Sequence, residues 1–488
     1  MTDEASSAMT GSGHPVALRL AIDQGGHASR ALLFDPAGRI VGRGTHAVQT
    51  SEPRPGWVEQ DAEEVVRTVS MSIMQAMSGY EAPEVAAAGL ATQRSSIVCW
   101  SRGSGRPLSP VISWQDLRAS GWIRNFSAHR TAVETSTGLR LSAHYGAAKL
   151  HWCLEHLPEV QAAFSRGDLA FGPLASFLVY RFTRERSFVV DPANAARTLL
   201  FSLEARDWDP ALLRLFGIPR EPLPRCVPTR FGFGSLPVCG GFVPLRIVTG
   251  DQSAALFSCG RPVDTAVYIN AGTGAFVQRP CGPRPRRNPQ LIAGIAFADG
   301  AAAEFVLEGT VNGAGSALRW LGCETGRDGL EEQIPAWLES VPDPPLFLNG
   351  VGGLGAPFWV PDFPSRFIGA GNLPEKAVAV VESIVFLIYE NIRKMRGSGA
   401  PLDHIIASGG IARLDALCQK LADISRLPVF RVDEPEATAL GLAFLLQDPG
   451  RGSPGRTGIW FQPAANAVLA ARCGRWRTAM ARALRAAC

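Results

Sequence analysis

The sequence predicts an α/β protein of two domains, because one pattern occurs twice and the chain is too long for one core. The pattern is an apolar run, a glycine turn and a second apolar run, followed by long amphipathic helices. It appears first as "AIDQGGHASRALLF" (21–34) and again as "AVYINAGTGAF" (266–276). A chain of 488 residues exceeds what a single ordinary core organises. Hydrophobic residues make up 46% and charged ones 19%, the balance of a well-packed globular protein. A net charge of +4 on this length gives no reason to expect nucleic acid or an anionic membrane as partner.

Each element follows from local chemistry. Residues 1–16 are small, polar and acidic, with no basic-then-apolar order, so a disordered leader is expected rather than a signal or anchor. "ALRLAIDQGGHASRALLFDPAGRIVGRGTHAVQ" reads as three antiparallel strands joined by tight turns. "DAEEVVRTVSMSIMQAMSGY" is an amphipathic helix with its acids at the positive end. "GLATQRSSIVCW" then reads as one strand, leading to a hairpin over "SRGSGRPLSPVISW". "GIPREPLPRCVPTRFGFGSLPVCGGF", rich in Pro and Gly, is expected to be mostly loop and to separate the halves. The boundary follows it near 252–262, giving domains 17–255 and 256–488. In the second half, "EKAVAVVESIVFLIYENIRKMRG" is a helix closing on basic residues and glycine. The arginine-rich tail is expected to be a helix packed on the protein with a solvated basic face. The ten cysteines form no CxxC pair, so reduced thiols and a cytoplasmic location are expected. No uninterrupted apolar stretch is long enough to span a bilayer.

The turns suggest chemistry. Gly25 and Gly26 let backbone N–H groups approach a phosphate, with Asp23 at one end of the turn and Arg30 at the other. A divalent cation held by Asp23 and a phosphate would then lie between the two charges. Gly272, Thr273 and Gly274 form a second such nest carrying a hydroxyl. Asp251, after Gly250 at the end of an apolar run, stands where a general base belongs, although a helix N-cap aspartate looks the same. At Gly409 and Gly410 a strand opens directly into a helix, offering backbone to a nucleoside and a helix N-terminus to phosphate. Taken singly, each motif is also an ordinary turn.

In this order and spacing the four motifs resemble the FGGY family of carbohydrate kinases, its glycerol-kinase members most. The likeness runs from about Leu18 to the last helix and takes in "PGWVEQDAEEV", "TQRSSIVCW", "VISWQDLRA", "DPANAARTLLFSLEARDWDP", "LEGTVNGAGSALRWL", "GGLGAPFW" and "EPEATALGLAFLL". The resemblance implies an actin-like ATPase (ribonuclease H-like) fold, two domains flanking a cleft, with a small polyol or sugar deep in it and ATP with Mg²⁺ above. It implies Asp251 as base, Asp23 as the metal-associated acid, and Gly272, Thr273, Gly274, Gly409 and Gly410 around the nucleotide. Arg94, Trp114 and Gln252 match positions lining the polyol pocket, and family members are often dimers or tetramers.

The chain also departs from that pattern. Glycerol-kinase members carry two threonines and a serine where this chain has Gly26, His27 and Ala28. His27, at the loop tip, is expected to restore part of the loss as a phosphate donor, unless it simply faces solvent. Ser95 replaces a glutamate of the polyol pocket, and His144 replaces a tyrosine, with Tyr145 one place on. Asp116 is reminiscent of pentulose kinases. The sequence therefore predicts phosphorylation of a primary hydroxyl on a small polyol or ketose. Glycerol leads a pentulose narrowly, and a catalytically weakened nucleotide-binding homologue is the rival outside the enzymes.

Overall fold

The structure, a computed structural model, describes residues 17–327, 329–447 and 455–487. The predicted leader, 1–16, lies outside the described residues.

Two mixed sheets organise the chain. In the first, Leu18–Gln24 pairs antiparallel with Ala28–Phe34, which pairs antiparallel with Ile40–Ala47. On its other side Leu18–Gln24 runs parallel to Val85–Thr92, and that strand parallel to Gly241–Gly250. In the second sheet Ala266–Ala271, Ala275–Gly282 and Ala302–Val311 form the antiparallel trio. His404–Ser408 and Val429–Val432 then add in parallel. Numbered along each half, both sheets have the order 3-2-1-4-5, with one or two edge strands appended. This duplicated arrangement is the actin-like fold.

The frame brings ligand-facing turns to one place. In open α/β sheets, sites form beyond the carboxyl ends of parallel strands. Gln24, Thr92 and Gly250 end three neighbouring strands of the first sheet, and Ala271 and Ser408 end two of the second. The helix Ala62–Ala76 covers the first trio. Its N-cap Asp61 accepts from the amides of Glu63 and Glu64, satisfying donors a helix start leaves orphaned. The two halves meet where Thr438 Oγ1, on the late helix Ala437–Leu445, donates to the Asp251 carbonyl at 3.3 Å.

Several sequence expectations are corrected. "GLATQRSSIVCW" is two strands, not one: Val85–Thr92 lies in the main sheet, and Ile97–Ser101 belongs to a separate four-stranded sheet. The chain breaks at Gln93–Ser96, where Ser95 adopts a left-handed φ of 67°. Apolar runs on both sides hide this break, because each strand is buried on both faces. The Pro- and Gly-rich stretch is not mostly loop and does not divide the halves. Its Arg230–Val238 pairs with Gly241–Gly250 as a hairpin on the edge of the first sheet, where Pro237 is tolerated. After Gly409 comes a single 3-10 turn, Gly410–Arg413, before the helix Asp415–Ser425. The tail helix Ala467–Ala487 buries Leu469, Cys473, Trp476, Met480 and Ala483. One of its arginines, Arg472, is turned inward onto Glu382 and Asp343. The nine described cysteines are free, and no helix among the described residues is long and apolar enough to cross a membrane.

Candidate active site in the interdomain cleft

Asp23 and Arg30 are direct cross-strand partners, with Arg30 Nη1 3.8 Å from Asp23 Oδ2. They do not stand apart with room for phosphate and metal between them, as the sequence suggested. Antiparallel pairing across so short a turn places positions 23 and 30 opposite one another. Arg30 also reaches Glu436 in the second half, at 3.5 Å. Asp23 is buried, and its Oδ1 has no protein partner. Burial pushes its carboxyl up to about 7; Arg30 opposes this, while Asp251 and Glu436 add to it. A buried carboxylate oxygen without a partner, among other carboxylates, is a donor that a hard divalent cation fits. The loop beyond is held by its carbonyls: Gln60 Nε2 donates to Gly26 O at 2.7 Å and Val48 N to His27 O at 3.0 Å. The His27 side chain is exposed. Trp114 Nε1 stands 3.5 Å from where a Cβ on residue 26 would lie, so a larger side chain there meets the indole.

The second tip is docked rather than free. The carbonyl of Thr273 accepts from the amides of Ala314 and Ser316 and from Ser316 Oγ, and Gly272 O accepts from Gly315 N at 2.9 Å. The tip thereby rests on the start of the helix Gly315–Thr325, whose Arg319 donates to Thr273 Oγ1 at 3.4 Å. Gly409 lies against it: at φ 89° a Cβ there would fall 2.4 Å from the Ala271 carbonyl oxygen. Gly409 and the adjoining Gly410 are thus brought beside 272–274. No hydrogen bond or ion pair among the described residues joins 25–30 to 271–274.

Asp251 opens the short helix Asp251–Ala255, and its Oδ1 accepts from Gln252 N at 2.7 Å. Its carboxyl is raised above the usual range by burial, against the pull of Arg94. Arg94 Nε lies 3.6 Å from Oδ1. Arg94 crosses directly over Gly250, where a Cβ would fall 2.4 Å from Arg94 Cδ. A side chain at 250 would therefore displace the guanidinium from the residue beside it. Gln252 Oε1 accepts from Asn270 Nδ2 at 3.1 Å.

Arg94, expected to line the polyol pocket, is held by a carboxylate of the second sheet. Its Nη1 and Nη2 fork onto Glu308 at 2.7 and 2.9 Å, leaving Nε toward the cleft. The pocket wall contains a second unforeseen group, Lys149, which is buried. Its amine donates to the carbonyls of Ser95 at 2.9 Å and His144 at 2.7 Å, so the two positions that depart from the family pattern are neighbours. Burial pulls Lys149 down to about 7, Asp116 opposing and Arg118 assisting. Burial and the nearby Lys149 pull His144 down to about 4, and His144 Nδ1 is buried without a partner. A neutral imidazole with a free ring nitrogen suits a substrate hydroxyl. The Tyr145 phenol is raised by burial and lies near Arg197, Glu308 and Arg94. Asp116, by contrast, is consumed by Arg118 and Val58 N and offers the pocket nothing.

Family models agree with this geometry. The N-terminal domain of the FGGY family of carbohydrate kinases matches residues 18–258, and its C-terminal domain matches 267–446. This chain belongs to the FGGY family of carbohydrate kinases. It is 36% identical to a glycerol kinase of Bordetella parapertussis, covering 94% of this chain and 96% of that protein. A glycerol kinase of Paracidovorax citrulli is 34% identical, with 95% and 99% covered. Among solved structures, Plasmodium falciparum glycerol kinase with ADP superposes with a TM-score of 0.86 at 22% identity, covering 96% and 98%. Xylulose kinase from Lactobacillus acidophilus reaches 0.83 at 20%, again over 96% and 98%. The protein is thus a carbohydrate or polyol kinase, and family membership implies ATP as the phosphoryl donor.

Sequence reading missed Glu308, Arg197, Lys149 and Glu436. Glu308 left one signal, a lone acid inside the apolar strand "FVLEGTV".

Proposed function

We propose that this FGGY kinase transfers the γ-phosphoryl group of ATP to a primary hydroxyl of a small neutral polyol, glycerol first. The observation carrying the reading is Asp251, a carboxylate raised by burial at a strand end and beside Arg94. In phosphoryl transfer, positioning and charge stabilisation do most of the work. Asp251 accepts the proton of the attacking hydroxyl, which becomes a better nucleophile as its oxygen approaches phosphorus. Arg94 Nε and Gln252 orient the polyol, with Ser95, His144, Tyr145 and Trp114 around it. The second loop, Gly272–Thr273–Gly274, cradles phosphate oxygens, and Gly409 with Gly410 lies along the nucleoside. Asp23 would hold Mg²⁺, which supplies positive charge to the phosphates; Gly25, Gly26, His27 and Arg30 complete that side. A water-poor cleft keeps the phosphoryl group from being lost to hydrolysis.

A pentulose is the second reading, favoured by Ser95: serine where relatives carry glutamate leaves more room and one fewer charge. The test is turnover of ATP-Mg²⁺ with glycerol, erythritol, xylulose and ribulose, by wild type and Asp251→Asn. Glycerol or erythritol turnover that falls about 10²–10⁴-fold in the variant is expected, the range a general base supplies. Turnover on xylulose or ribulose alone would hand the assignment to the pentuloses. ATP binding without turnover on the whole panel would mark a weakened homologue and defeat the proposal.

A further inference from the structure

We propose that Glu308 is a positioning residue that aims Arg94 at the transfer site and ties the readiness of the base to the meeting of the two sheets. The inference rests on Asp251 being the base. Glu308 belongs to Ala302–Val311 of the second sheet, whereas Arg94 follows the last residues of Val85–Thr92 in the first. The Glu308 side chain is 0% exposed, and that of Arg94 is 6% exposed. Both Glu308 oxygens are taken by the Arg94 fork, and Arg197 Nη2 adds a third contact at 2.5 Å to Oε2. With Asp251 3.6 Å from Arg94 Nε, four groups form a chain of alternating charge: Arg197, Glu308, Arg94, Asp251. Tyr145 lies close to Arg94, Arg197 and Glu308, and Asp23 is the other carboxylate close to Asp251.

The geometry does more than neutralise charge. A bidentate carboxylate fixes the plane of a guanidinium as well as its distance. The fork spends one N–H of Nη1 and one of Nη2, and of the three that remain it is Nε–H that faces Asp251, 3.6 Å away. Without Glu308, Arg94 is free to turn its fork onto Asp251, the next carboxylate in reach. That contact would cover the oxygen that must accept a proton and stabilise the ionised form, making it a weaker base. Arg94 and Arg197 would also be left as two buried like charges facing each other, a costly arrangement that favours an open cleft. Since the clasping carboxylate comes from the second sheet, Arg94 is correctly aimed only while the sheets are together. A closed cleft and a competent base then coincide, which guards ATP against water.

The test compares wild type, Glu308→Gln, Glu308→Asp and Asp251→Asn on the best panel substrate, with pH profiles. In E308Q, kcat should fall at least tenfold while KM for ATP stays within twofold. The acidic limb of kcat/KM for the polyol should move to lower pH, because a negative charge near Asp251 is removed and Arg94 is freed toward it. E308D, which restores the charge, should return the limb toward wild type. The proposal is overturned if E308Q keeps kcat within twofold with its acidic limb unmoved. It is equally overturned if E308D is as impaired as E308Q and both lose ATP affinity in parallel, the mark of general damage. Should E308Q not fold, Arg197→Gln gives the opposite sign: losing a nearby positive charge should move the acidic limb upward, and a downward or absent shift sinks the idea. Undiminished turnover in D251N would instead refute the base assignment itself. If wild type turns nothing over, small-angle scattering decides separately: a larger radius of gyration for E308Q than for wild type supports the tie, and equal radii overturn it.

Discussion

The two halves set nearly the same frame around different electrostatics. In the first, the penultimate residue of the leading strand is Asp23, paired across the ladder with Arg30. In the second, the residue two places before the Gly-Thr-Gly tip is Asn270, paired across its ladder with Phe276. Asp23 keeps a buried oxygen unpartnered, whereas Asn270 spends its amide on Gln252. The first tip thus ends on a carboxylate without enough positive charge, and the second on neutral backbone seated on a helix start. A carboxylate of that kind suits a cation, whereas at the second tip the amides of Ala314, Gly315 and Ser316 are taken by the carbonyls of Gly272 and Thr273. Duplication supplies a strand–turn–strand unit to each sheet, and on the proposed reading Asp23 makes the first of them the cation side.

The largest effect expected from breaking this difference is at Asp23. Asp23→Asn makes the first half resemble the second, and turnover should fall about 100-fold, the scale of removing one preorganised electrostatic partner. Stability should move the other way. The Asp23 carboxyl is raised from 3.8 to about 7 on folding, so ionising it opposes the folded state. The destabilisation grows as pH rises from the unfolded value through the folded one. The variant should therefore melt above wild type at pH 8 and gain less at pH 5, read by thermal denaturation without metal. Millimolar Mg²⁺ should raise the melting temperature of wild type at pH 8 but not that of the variant. Equal responses of the two proteins would remove Asp23 from the cation site.

What the sequence could and could not disclose follows the same division. Glycine turns, strand ends and the positions of Asp23, Asp251 and Thr273 are local features; singly each reads equally as an ordinary turn or cap, and it is the resemblance of the ordered set to FGGY kinases that implies two clasps and a base. The Arg94–Glu308 fork joins residues 214 apart, so no window of sequence contains it. The break at Gln93–Ser96 was invisible because buried strands on either side read as one apolar run. Lys149 was equally hidden, since a lysine in a helical pattern is ordinarily a solvated one. The partners of Asp116 were equally out of sight: Val58 N, 58 residues away, donates to it, and Arg118 pairs with it two places on.

A smaller effect should come from the second tip. Thr273→Ala removes one hydroxyl while leaving the carbonyls that dock the loop on Ala314, Gly315 and Ser316. A single neutral hydrogen bond contributes about 0.5–1.5 kcal/mol net, so KM for ATP should rise roughly two- to tenfold. The polyol KM should hold. A comparable rise in the polyol KM would place Thr273 outside the nucleotide side and weaken the contrast between the tips.

The smallest effect is expected at His27. Its carbonyl is fixed by Val48 N, and its side chain is exposed at the tip, so the ring can reach a phosphate at little cost to the loop. A ring N–H there can donate to a phosphate oxygen. Exposure to water and salt keeps such a contact weak. His27→Ala should therefore raise KM for ATP less than about threefold, the scale of one exposed contact. An unchanged KM would leave the His27 ring without a role at the first tip. The contrast with the second tip would then sharpen, because only one of the two clasps would use a side chain to hold phosphate.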